Sequence, residues 1–75
     1  MEHKLKAQIS ILEMRFNIYT DLAEAKRIER DEHSVTSLMY GILDTSYSRL
    51  EAQAETIAEI KKELEEILAE AKQEA

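Results

Sequence analysis

The chain has no cysteine, no proline and no tryptophan, and only one glycine in 75 residues. Without cysteine there is no disulfide framework, no thiolate nucleophile and no cysteine-ligated zinc, and nothing points to an oxidising compartment, so a cytoplasmic setting is expected. With Gly41 alone and no proline, turns lack their usual material, and an all-helical chain is the natural reading. Aromatic residues make up only 5% of the sequence, which leaves little for stacking on nucleic-acid bases. No apolar run approaches a signal-peptide core or the roughly 20 residues of a membrane span, so neither export nor membrane insertion is expected.

What the chain does have is Ala, Leu, Ile, Glu, Lys, Gln and Arg in abundance, with charged residues at 35% and a net charge of −6. The charge is unevenly placed. Residues 1–32 hold six Lys or Arg against seven acids, while residues 33–75 hold four against nine. An acidic balance of this kind disfavours bulk attraction to nucleic acid or to an anionic membrane. A chain this short also struggles to bury enough apolar surface to offset its ordering entropy, so help from a second chain is expected.

Stepping the first third of the chain around a helix at about 100° per residue yields two apolar stripes. Leu5, Ile9, Leu12, Phe16, Tyr19 and Ala23 form one, at alternating spacings of four and three. Ala7, Ile11, Met14, Ile18, Leu22 and Ala25 form the other, more than about 100° away. One stripe needs one neighbour, and two need two. With only one other long helix in the chain, the second neighbour is expected to be another copy. The pattern does not decide which stripe faces which neighbour, and Ile11, Met14, Ile18, Leu22 and Ala25 are assigned to self-association.

Apolar periodicity fades from Lys26 to Glu32, where a helix stop near residues 31–34 is expected. Extension of the first seam by sevens from Phe16 meets Arg30, Ser37 and Asp44, which counts against the competing layout of one helix through all 75 residues. Ser34 is then the expected N-cap of a second helix beginning at Val35. Its stripe runs through Leu38, Met39, Ile42 and Leu43 and onward to a heptad segment with Leu50, Ile57, Ile60, Leu64 and Ile67 as a coiled-coil seam. Between them, Asp44-Thr-Ser-Tyr-Ser48 is rich in side chains that compete for backbone hydrogen bonds, so a kink near 44–48 is left open.

Chemistry is poorly signalled. The carboxylates Glu63, Glu65, Glu66, Glu70 and Glu74 form an acidic helix face without a pocket to shift a pKa, His3 and His33 stand apart, and no phosphate loop or nucleophile triad is present. The reading is therefore no enzyme, no catalytic or metal-binding residues and no cofactor; a carboxylate metal enzyme is the alternative that stoichiometric binding of divalent ions would reveal. Lys4, Arg15, Lys26 and Arg30 make a narrow basic line that could grip phosphates, which gives the alternative of a nucleic-acid-binding hairpin dimer. Residues 34–48 contain Asp44 as their only charge, and Leu38, Met39, Tyr40 and Tyr47 form a candidate patch for a protein partner, with Tyr40 off the main stripe beside Tyr47.

The expectation is a single all-α domain over residues 1–75: a helix at about 4–32, a turn at about 33–35 and a helix at about 35–73, folded as an antiparallel hairpin. Its C-terminal coiled-coil part is expected to project beyond the hairpin, and two copies to form a four-helix bundle. The expected function is a small homo-oligomeric interaction module, an adaptor, regulator or assembly factor, whose partners are itself and another protein.

Overall fold

In the computed structural model, which describes residues 2–74, the chain forms two helices, α1 (Glu2–Asp31) and α2 (Leu38–Glu74), packed antiparallel as a hairpin. The described residues contain no strand. The hairpin measures 58 × 14 × 11 Å.

Helix α1 carries Glu2 in its first turn and Arg30 in its last, each the sign that complements the helix dipole there. It ends by tightening: the Glu32 N–H donates to the Glu29 carbonyl at 3.2 Å and the His33 N–H to the Arg30 carbonyl at 3.0 Å, three residues back rather than four. The connector then makes its own turn. The Ser37 N–H donates to the Ser34 carbonyl at 2.9 Å, and the Ser34 hydroxyl lies 3.0 Å from that of Thr36.

The cap of α2 is Ser37, not Ser34. Its Oγ accepts the Tyr40 N–H at 3.1 Å, satisfying a donor that the first turn of a helix leaves free. Helix α2 therefore starts at Leu38, three residues later than the sequence suggested. The Ser34 hydroxyl accepts the Thr36 N–H at 3.4 Å and so closes a local turn, and Val35, 76% exposed, has no burial to gain by joining the helix.

Helix α2 runs unbroken through residues 44–48. The polar groups there find partners without opening the helix: the Thr45 hydroxyl donates to the Gly41 carbonyl at 3.0 Å, and Asp44 accepts from Arg30 at 2.8 Å.

The seam of α1 is the stripe of Leu5, Ile9, Leu12, Phe16, Tyr19 and Ala23, all buried or half-buried. From α2 it meets Leu43, Tyr47, Leu50, Ala54, Ile57, Lys61, Leu64 and Leu68. Leu50, Ile57 and Leu64 thus take the places expected of them, whereas Ile60 (43% exposed) and Ile67 (49%) lie to one side of the seam. Lys61 and Leu68 hold the corresponding positions, the lysine laying its stem across the seam with its ammonium 3.6 Å from Glu65. Among the described residues only Ala23, Leu43 and Ala54 are buried, and no large side chain is fully enclosed.

The register corrects one further expectation. Arg30 meets Asp44, Thr20 and Ala23 share a groove with Glu51 and Ala54, and Lys6 and Ile9 share one with Glu65 and Leu68. This pairing sets the C-terminal turns of α2 beside the start of α1. The extra length of α2 projects at the turn end instead, as the segment Leu38–Ile42.

Candidate interaction surface

Two features stand out beyond the apolar seam residues: a polar clasp that closes the seam at the turn end, and an apolar face along one side.

The clasp is built on Arg30, whose side chain is 18% exposed. Its Nη1 donates to Asp44 at 2.8 Å and its Nε to Asp31 at 3.1 Å, and its guanidinium carbon lies 5.5 Å from the centre of the Tyr40 ring and 5.1 Å from that of Tyr47. The carboxylate of Asp44, then that of Asp31, holds the guanidinium in its charged form and raises its pKa further above the ordinary arginine value. Burial, helped by the Glu51 carboxylate, raises the Tyr47 phenol above its ordinary range. Next to the clasp, Arg27 bonds to both oxygens of Glu24 and to Asp31, and the Arg27 hydrogen bond holds the Glu24 carboxyl below its usual range.

The clasp changes two sequence assignments. Tyr40 and Tyr47 turn inward onto Arg30, half-buried, rather than forming an open patch, while Leu38 and Met39 do face outward, 82% and 46% exposed. Arg30 itself lies seven residues beyond Ala23 and so continues the first seam, which ends in an arginine layer rather than before it. The signal for it was present in the extension from Phe16 through Arg30 to a facing aspartate, but a charge at a seam position reads most readily as the end of the seam.

The apolar face takes in the second stripe of α1. Ile11 (48% exposed), Met14 (64%), Ile18 (52%) and Leu22 (46%) all face outward, as does Ala25, which places the residues assigned to self-association together on one uncovered surface. Helix α2 adds to this side. Ile11 and Ile60 line a common groove of about 210 Å³ with Gln8, Leu12, Arg15 and Leu64. Met39, Ser46, Gln53, Ile60 and Ile67 recur every seven residues and so share a line, with exposed Ile42 one turn from Met39. The face is therefore apolar along α1 and, on α2, apolar at both ends with a polar middle.

Of the basic line, Arg30 is held in the clasp and the Lys26 ammonium lies 4.0 Å from Glu29. Lys4 and Arg15 make no ion pair among the described residues. Among those residues no helix is long and apolar enough to cross a membrane.

No family model, curated protein or solved structure matches this chain.

Proposed function

We propose that this protein is a homo-oligomeric interaction module that acts by binding rather than by catalysis, assembling through the apolar face of the hairpin. The observation that carries the reading is the imbalance between the small interior and the large uncovered face. Among the described residues two alanines and one leucine are the only well-buried side chains, against eight large apolar side chains on one side that stay about half exposed.

Those eight amount to roughly 400–700 Å² of apolar surface at the area a buried aliphatic side chain usually removes from water. A stable dimer covers about 800 Å² per partner, of which about two thirds is apolar when the subunits are identical. The face is thus comparable in size with what a second copy needs, at the upper end of the range of the largest apolar patches on monomers. Covering it also supplies the burial that a two-helix hairpin lacks on its own. The four-helix bundle that results leaves the turn-end group of Val35 and Leu38, the two most exposed large apolar residues among those described, as the surface for another protein.

Light scattering over a range of concentrations tests the reading. The expected mass is at least twice the 8.7 kDa of the chain, falling on dilution. A folded, monodisperse monomer at millimolar concentration overturns it.

A further inference from the structure

We infer that two copies pair with α1 against α1 in antiparallel sense about a two-fold axis passing beside Ile18, and that the same axis sets Arg49 of each copy beside Glu63 of the other. The inference deepens the self-association proposed above and rests on it.

The first support is the spacing of the open stripe. From Ile18 the apolar positions step four, three and four residues back, to Met14, Ile11 and Ala7, and four and three forward, to Leu22 and Ala25. From Ile11 to Ala25 the stripe is symmetric about Ile18 and matches its own reverse, with Ala7 beyond it falling opposite Glu29. Laid antiparallel on its copy, Ile18 meets itself, Met14 meets Leu22, and the large Ile11 meets the small Ala25. A two-fold interface demands such self-complementarity, and the alternation of large against small lets the two rows interlock. Each matched residue is exposed in the single chain, so nothing has to rearrange to form the contact.

The second support comes from the other helix, read at the axis position that the stripe sets. Tyr19, next to Ile18, shares a groove with Gln53 and Thr56, so an axis crossing α1 at Ile18 crosses α2 near Thr56. Arg49 lies seven residues before Thr56 and Glu63 seven after, on one line of the helix. The two-fold exchanges them. Both are exposed, and neither is in an ion pair among the described residues. Across the axis they form two opposite-charge pairs flanking an apolar α1 seam. A parallel pairing of α1 would instead stack Arg15 on Arg15 and Asp21 on Asp21, like charges that cost rather than contribute.

The absence of cysteine makes the arrangement directly readable by thiol cross-linking. An Ile18→Cys chain, oxidised mildly, is expected to run as a covalent dimer on a non-reducing gel. Met14→Cys and Leu22→Cys chains are expected to cross-link efficiently when mixed and poorly when oxidised separately. Charge exchange is the second measurement: Arg49→Glu is expected to weaken dimerisation about tenfold, and Arg49→Glu with Glu63→Arg to restore it. If the chain is a dimer by light scattering but cross-links from Ile11→Cys to Ile60→Cys, or from Ile11→Cys to itself, the antiparallel α1 pairing is overturned while self-association stands. Failure of the exchanged pair to restore affinity removes the Arg49–Glu63 contact. A chain that is monomeric throughout overturns both readings together.

Discussion

The two apolar stripes of α1 are close to interchangeable in composition and period, yet one lies in the hairpin seam and the other lies open. Leu12 and Phe16 are half-buried against α2, while Ile11 and Ile18, each within two residues of them, are about half exposed. Hydrophobicity therefore does not separate the stripes. What separates them is what α2 offers in return: small residues such as Ala54, which admit close approach of the helices, and at the turn end Asp44, Tyr40 and Tyr47, which receive Arg30 from the seam line of α1. The covered stripe makes the hairpin, and the open one is the face proposed to meet a second copy.

The sharpest way to break this contrast is to charge each stripe in turn. Leu12→Glu with Phe16→Glu places two carboxylates in the seam and is expected to unfold the hairpin, each change costing about 2–4 kcal/mol, with helical circular dichroism lost at 25 °C. Ile11→Glu with Ile18→Glu is expected to dissociate the oligomer while helix content survives at high protein concentration, seen as a halved mass by light scattering. Identical behaviour of the two double variants would mean that the stripes do not have separate roles.

Smaller changes sharpen the contrast at the turn end. Arg30→Ala removes the ion pair to Asp44 and the contact with both tyrosine rings, and is expected to lower the melting temperature by less than the seam double variant. Arg30→Lys is expected to recover little of the loss, since an ammonium cannot serve Asp44 and Asp31 through separate N–H groups while lying over two rings. Gly41→Ala works the other way. Gly41 is helical with φ below zero, and a Cβ there meets no atom within 4 Å, so the change is expected to stabilise the chain by about 0.5–1 kcal/mol in thermal unfolding.

The weakest effect is expected in alkali. The folded chain favours the neutral form of Tyr47, whose pKa is raised by burial and by Glu51, so the stability tied to it is complete below about pH 10 and is lost as pH rises through the folded value. Tyr47→Phe is expected to flatten that part of the melting-temperature profile, and an unchanged profile would remove Tyr47 as its source.

Much of this could be read from the residue pattern, because helical period is a local property. Two helices, their antiparallel packing and both stripes of α1 follow from where Leu, Ile and Ala recur. The errors fall where two nearby choices have similar local energy. Ser34 and Ser37 are each able to cap a helix, and here the Ser34 hydroxyl closes a turn on the Thr36 N–H while the Ser37 hydroxyl takes the Tyr40 N–H. On α2, Ile60 and Ile67 make a better heptad seam than Lys61 and Leu68, but a rotation of one residue brings the latter pair inward. The lysine tolerates that position because its stem packs while its charge reaches Glu65.

The sequence by itself determined that this protein is helical, that α1 carries two apolar faces, and that the chain is acidic and without thiol chemistry, since these depend on residue type and spacing alone. Only the tertiary structure decided which stripe of α1 is covered, that Arg30 closes the seam between two tyrosines and Asp44, and that Ile60 joins Ile11 on the open side. The physical reason is that register and helix rotation are set by contacts between residues far apart in the chain. Alternatives one residue apart differ there by packing and a few charges that no local pattern records.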